Sequence, residues 1–216
     1  VYKRQILKKM IDLYSSPTPN GRKISIMLEE LGVDFNPISI NLDKKEQFSE
    51  EFSKISPANK IPVIVDNDNN QTVFESGAIL LYLAQKYDKF LNKDKYWEII
   101  QWVFFQMAYV GPMLGQAHQY LFYHPGKSKF AEDKTKGYAQ HIYSILDKRL
   151  SKQEYFSDTY SIADISIWPW TARYERHQIN LHDYPNVLRW YKQISTRPAV
   201  IKGYNSVGES YEIPKP

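Results

Sequence analysis

The chain of 216 residues contains no cysteine. That absence excludes a disulfide scaffold, thiolate zinc sites, iron-sulfur ligation and any mechanism with a protein thiol as nucleophile. Sulfur chemistry would have to use sulfur brought by a ligand. A block of one charge sign is also missing: 28 basic and 24 acidic residues leave a net charge of +4, interspersed along the chain, which disfavours nucleic acid as a partner. The longest apolar stretch, Ile99 to Leu114, is broken by Gln101, Gln106 and Gly111-Pro112, and the mean hydropathy of -0.53 is too polar for a membrane protein. That stretch reads as a buried core helix. The five histidines show no paired spacing with carboxylates, so no metal is expected. No charged-then-apolar leader opens the chain, and cytoplasm is the expected location.

What is present is ordinary globular composition, 43% hydrophobic and 24% charged, with length for one large domain or two small ones. Val1-Tyr2-Lys3-Arg4-Gln5 resembles a translated transposase adapter from library preparation. Residues 1–9 are therefore expected to be an extension, non-native in part, with the natural start at Met10.

From Met10 the pattern is strand, helix, strand, helix, strand, strand, helix. An apolar run around Ile11 and Leu13 precedes the turn-rich Ser15-Ser16-Pro17-Thr18-Pro19-Asn20-Gly21. Ile24, Met27, Leu28 and Leu31 recur at helical spacing, with Gly32 as the stop. Phe35 to Ile40 alternates as a strand, and Ser49 to Ile55 predicts a short helix. Val63-Ile64-Val65 and Thr72-Val73-Phe74 flank a turn cluster and predict a hairpin. Ser76 to Tyr87 predicts a third helix. After the polar run Asp88 to Lys95 strand signals fade, and helices are predicted over Tyr96 to Tyr123 with a kink at Pro112, Lys129 to Leu150, from Ser161 through Trp168 to Tyr174, and Pro185 to Ser195. The division drawn is 10–88 and 95–216, and the five tryptophans are expected mainly in the core.

A small mixed sheet with a proline before its third strand, followed by an all-helical domain, resembles the glutathione transferase superfamily. The blocks that carry the resemblance are Asn59-Lys60-Ile61-Pro62-Val63, Phe74-Glu75-Ser76-Gly77-Ala78-Ile79 and Ser161-Ile162-Ala163-Asp164. Pro17-Thr18-Pro19-Asn20-Gly21, Gln47-Phe48, Gly111-Pro112-Met113-Leu114-Gly115-Gln116 and Ile167-Trp168-Pro169-Trp170 look like the bacterial nu-class, Ure2-like branch, whose characterised members are glutathione-dependent disulfide-bond oxidoreductases. The resemblance runs from Met10 to Pro198. It implies an α+β thioredoxin-like domain with an all-α domain, glutathione or glutathione disulfide as ligand, a small disulfide or an electrophile as second substrate, and a homodimer using the surface of Tyr96 to Tyr109.

A cis bond at Ile61-Pro62 would present the backbone of Ile61 to an extended peptide; otherwise Pro62 merely starts an edge strand. Glu75-Ser76 stands where a strand hands over to a helix, a place for a carboxylate beside the helix dipole or for an ordinary cap. By resemblance Ser76 takes the glutamyl carboxylate of glutathione and Glu75 its ammonium. Lys60 lies in the same proline block, Gln47 resembles a residue that meets the glycyl end, and Lys134 falls where relatives carry an arginine that meets a glutathione carboxylate. Lysine keeps that charge and loses the bidentate fork. For the sulfur, other transferase classes suggest Tyr14 or Ser16. The nearer branch suggests Asn20 and Thr18, with Asn20 at a helix N-terminus as amide donor or simply as its cap. Conjugation of an electrophile and a non-enzymatic binding module are the alternatives to disulfide exchange.

Overall fold

The computed structural model describes residues 10–216; the expectation for residues 1–9 lies outside them. Four strands, β1 (Ile11–Ser15), β2 (Phe35–Ser39), β3 (Val63–Asp66) and β4 (Gln71–Phe74), form one mixed sheet in the order β2-β1-β3-β4. β1 and β2 are parallel, joined by the crossover helix α1 (Pro19–Leu31). β3 runs antiparallel to both β1 and β4, so the hairpin returns the chain to the opposite edge. α2 (Glu50–Ile55) and α3 (Ser76–Tyr87) complete a thioredoxin-like unit. Alternation along β1 buries Ile11 and Leu13 completely.

α1 starts where Thr18 caps it, accepting from the Gly21 N–H at 3.2 Å, and Pro19 follows where a helix needs no donor. Gly32, at φ +69°, ends it in the left-handed region that costs glycine nothing. Beyond the apolar stripe expected for this helix, Arg22, Lys23, Ser25 and Ile26 are also buried. The reason is that α1 is covered on a second side by the helical half of the chain.

That half contains α4 (Tyr96–Phe105), α5 (Gly111–Ala117), α6 (Lys129–Leu150), α7 (Ile162–Thr171), α8 (Pro185–Ser195) and α9 (Pro198–Tyr204). Residues 96–123 are helical throughout, but two π-helical segments, Gln106–Val110 and His118–Tyr123, interrupt the α geometry. Pro112 is the second residue of α5, just after the first of them, where its missing N–H is tolerated. α7 ends at Thr171, short of the expected Tyr174, which instead opens a 3₁₀ turn, Tyr174–His177. α9 is an addition to the expected helices. Gly203 lets it approach α1 so closely that a Cβ there would lie 2.6 Å from the Cα of Ile26.

Trp168 and Trp190 are fully buried and Trp170 nearly so, whereas Trp97 is 72% exposed, a correction to its expected place in the core. Asp164 closes the capping box of α7, accepting from the Ser161 N–H at 3.0 Å, and also accepts from the Trp190 indole at 2.8 Å. Among the described residues no helix is long and apolar enough to cross a membrane, and no cluster of His, Asp or Glu is placed to hold a metal ion.

Candidate functional site

The Ile61-Pro62 peptide bond is cis, and it stands at the edge of a cavity of about 220 Å³. The wall contains Asn20, Lys60, Ile61, Glu75 and Ser76, so residues from three separate sequence blocks meet here. Ser56, Ala58, Pro62 and Phe74 complete it. The loop before Pro62 is braced by Ser56, whose hydroxyl donates to the Lys60 carbonyl at 2.8 Å and accepts from the Lys60 N–H at 3.0 Å. Ile61 takes no part in the turn and loop backbone hydrogen bonds among the described residues, which leaves its backbone to an extended partner.

Glu75 precedes α3 with φ +70° and ψ 118°, a conformation that is costly for a residue with a side chain and concentrates at functional positions. Its carboxylate is exposed while Ser76, the first residue of α3, is buried at the cavity wall. A helix N-terminus with a hydroxyl and an adjacent carboxylate can hold a zwitterion, the carboxylate at Ser76 and the ammonium at Glu75.

Asn20 occupies the first turn of α1 without capping it; Thr18 has that role. The Oδ1 of Asn20 accepts a hydrogen bond from the Trp170 indole at 3.0 Å, which fixes the amide so that Nδ2 remains the free donor. Thr18 likewise accepts at its hydroxyl from Gly21 and retains its O–H to donate. Thr18 lines a neighbouring cavity of about 300 Å³ with Gly208 and Tyr211 from the C-terminal segment.

Of the alternatives at the sulfur, Ser16 donates its hydroxyl to the Ile40 carbonyl. Tyr14 packs against Phe52 with ring centroids 6.3 Å apart. Burial pushes the Tyr14 phenol up, with Asp12 adding to the effect, which works against a phenolate there.

Gln47 sits on the 3₁₀ turn Glu46–Phe48, outside the cavity wall; its carbonyl accepts from Asn59 at 2.8 Å and its Oε1 is buried without a partner. Lys134 is exposed on α6, its ammonium 5.6 Å from the Phe130 ring centroid, and does not join the cavity. Trp102, Phe105 and Tyr109 form a run of ring contacts that extends to Phe156 and His141 inside the helical half.

Two residues behind the wall escaped the sequence reading. Lys23 is 1% exposed, and its ammonium donates to the Ser76 hydroxyl at 3.1 Å and to Gln106 Oε1 at 2.6 Å. Burial pushes this amine well below the usual lysine range, opposed by the Glu75 carboxylate. Their signals were a lysine three residues after Asn20 on one helix face, and a glutamine inside an apolar run.

A thioredoxin-like sheet with a cis-proline loop, joined to an all-helical domain, defines a glutathione transferase architecture. The chain belongs to the glutathione S-transferase family, matching its N-terminal domain over residues 10–85 and its C-terminal domain over residues 110–198, in the branch of the bacterial disulfide-bond oxidoreductases and Ure2-like proteins. It is 44% identical over 198 residues to disulfide-bond oxidoreductase YfcG of Escherichia coli (strain K12), covering 88% of this chain and 92% of that relative. Identity to disulfide-bond oxidoreductase YghU of the same organism is 37% over 215 residues, covering 91% and 74%. A solved glutathione transferase from Burkholderia graminis, with two glutathione molecules bound per subunit, superposes with a TM-score of 0.87 at 36% identity, covering 94% of this chain and 90% of that one. Another from Pseudomonas putida, with one glutathione disulfide bound per subunit, gives 0.87 at 36% identity, covering 93% of each.

Proposed function

We propose that this protein, a glutathione-dependent enzyme, reduces small or glutathionylated disulfides with glutathione at the Asn20–Ile61–Ser76 cavity. The carrying observation is Asn20 in the wall of that cavity, its amide oxygen held by Trp170 so that its nitrogen is left to donate, in a chain without cysteine. Glutathione pairs along Ile61 with its glutamyl end at Ser76 and Glu75, and Lys60 beside the peptide. Gln47 serves the glycyl end. Asn20 and Thr18 donate to the sulfur. Lowering a thiol from about 8.5 by roughly two units takes about 2.7 kcal/mol of preference for the thiolate. The thiolate attacks one sulfur of the substrate disulfide, forming a mixed disulfide and expelling the other sulfur as thiolate. A second glutathione thiolate then attacks the glutathione sulfur of that mixed disulfide, giving glutathione disulfide and the second product thiol. Two glutathiones thus supply two electrons and two protons, and no protein atom changes oxidation state.

Reduction of 2-hydroxyethyl disulfide with glutathione tests this reading, beside conjugation of an aryl halide. Turnover of the disulfide well above buffer is expected; activity confined to the aryl halide would assign electrophile conjugation instead. Absence of binding to glutathione and its disulfide in calorimetry would leave a non-enzymatic binding module. The dependence on reduced glutathione suits a cytoplasmic location.

The apolar hollow formed by Ala78, Leu81, Ile100, Val103, Phe104 and Met107, with Phe104 65% exposed, supports a homodimer through α3 and α4. Lys134 would then meet a glutathione carboxylate across that assembly or across the cleft. Light scattering at micromolar concentration should give twice 25.5 kDa.

A further inference from the structure

Ser76 can hold a carboxylate only if its hydroxyl hydrogen points into the cavity. A serine hydroxyl rotates freely and, beside a buried neighbour able to accept, would turn inward. Here the inner neighbour is a donor. Lys23 Nζ donates to the Ser76 oxygen at 3.1 Å and to Gln106 Oε1 at 2.6 Å, so it meets the hydroxyl as a donor and directs no lone pair at it. The Ser76 hydrogen thereby finds no acceptor in Lys23, and the protein acceptor left to it is the Met107 thioether at 3.6 Å, a weak one. A ligand carboxylate is the better acceptor.

Lys23 is itself held from the helical half. Gln106 accepts its second hydrogen bond at 2.6 Å and belongs to the π-helical segment Gln106–Val110. The Gln106 amide nitrogen lies 2.9 Å from where a Cβ on Gly111 would stand, so Gly111 gives that side chain its space. The groups facing Lys23 are the uncharged Ser76 and Gln106, and the charge acting on it is the Glu75 carboxylate. Asn20 and Lys23 stand one helical turn apart on α1, and each is anchored by the helical half, Asn20 through Trp170 and Lys23 through Gln106.

We propose that Lys23 is a positioning residue that commits the Ser76 hydroxyl to the α-carboxylate of the glutamyl group, with Gln106 as its anchor. This rests on the glutathione reading of the cavity and goes beyond it by assigning recognition of one carboxylate to a side chain that touches no ligand.

The test compares glutathione with γ-aminobutyryl-cysteinylglycine, which keeps the amine and thiol and lacks the α-carboxylate, by calorimetric titration of the full chain. Lys23→Met should weaken glutathione about tenfold to a hundredfold and leave the decarboxylated peptide within about twofold of wild type. Ser76→Ala should lose glutathione similarly, and the double variant should be no weaker than the worse single one. Equal loss of both peptides in Lys23→Met would make Lys23 a scaffold residue and overturn the proposal, as would no loss of either. Should Lys23→Met fail to fold, Gln106→Leu carries the same comparison: a smaller loss confined to glutathione supports the proposal and an equal loss of both peptides refutes it. The wild-type titration separates the two levels, because failure to bind glutathione there removes the reading of the cavity itself.

Discussion

The indole N–H of Trp170 donates to the Oδ1 of Asn20 at 3.0 Å, tying the first turn of α1 to α7 across 150 positions of chain. An amide left alone can present either its oxygen or its nitrogen to a ligand; this bond takes up the oxygen and leaves the nitrogen as the group free to donate. Asn20→Ala should therefore lower disulfide turnover about a hundredfold to a thousandfold, the usual loss for a donor to a developing anion, and raise the pKa of the bound thiol. Trp170→Phe keeps a ring against His118 and loses only the N–H, so a fall of about tenfold is expected with a smaller rise in thiol pKa. Thr18→Ala should act in the same direction as Asn20→Ala, more weakly. Tyr14→Phe and Ser16→Ala should stay within a few-fold. Steady-state rates with ultraviolet titration of the bound thiolate check all five, and a hundredfold loss in the tyrosine or serine variant with none in Asn20→Ala would assign the sulfur to another group.

Two glycines separate stability from activity. A Cβ on Gly21 would lie 2.2 Å from the Ser16 carbonyl oxygen and 2.3 Å from the Ser15 hydroxyl, one residue from Asn20. Gly21→Ala should force α1 and the Ser15-Ser16 turn apart, costing roughly 1 to 3 kcal/mol and lowering kcat with it. Gly203→Ala meets the backbone of Ser25 and Ile26 instead, away from the cavity. It should lower the Tm comparably while the folded fraction keeps its kcat, as thermal denaturation and assays at low temperature would show.

Asp164 accepts from four donors: the N–H groups of Phe156 and Ser161, the Ser161 hydroxyl and the Trp190 indole. Asp164→Ala strands these groups in the core, so a loss of at least about 3 kcal/mol is expected, read from the urea midpoint. Asp164→Asn can accept at one oxygen only and should lose less.

The parts legible in sequence were those decided locally. Ser76 to Tyr87, Lys129 to Leu150 and Pro185 to Ser195 coincide with α3, α6 and α8 because their caps, prolines and apolar spacing agree. The capping box at Ser161 was readable for the same reason, whereas the cis bond at Ile61-Pro62 was legible only through the family resemblance, since the residues alone left an edge-strand start open. What escaped depends on partners far along the chain. Nothing near Gln106 announces a π-helical turn, and its side chain there meets Lys23 of α1 and Gly111 of α5. Lys23 looks like a solvent-facing residue of an amphipathic helix until α3 and the π-helical segment cover it. Trp97 reads as core by composition, yet it lies in the first turn of α4 at the surface.

His118 and His177 stack face to face, ring centroids 4.7 Å apart and planes 16° from parallel, and the Tyr143 hydroxyl pairs with His177 Nδ1 at 3.0 Å. The Nε2 of each ring is buried without a hydrogen-bond partner. Burial pushes His118 down to about 4, helped by Arg176 and Arg173, and burial also pushes His177 well down, with His118 and the same arginines adding to it. A histidine lowered in the folded state is neutral there while the unfolded chain, at about 6.5, takes up the proton. Unfolding therefore binds protons between these two values, and stability falls as pH falls from about 6.5 towards about 4. For His118 the whole effect is roughly 3 kcal/mol. Asp164 works in the opposite sense: burial pushes it up to about 6 against the donors it accepts from, so the folded state holds its proton first and gains stability as pH falls through that range. The wild-type curve alone mixes the three groups. His118→Gln removes one of them, so the wild type should lose roughly 3 kcal/mol relative to this variant between pH 7 and pH 4, measured by urea titration at each pH. Parallel curves for the two proteins would show that His118 titrates alike in the folded and unfolded chain.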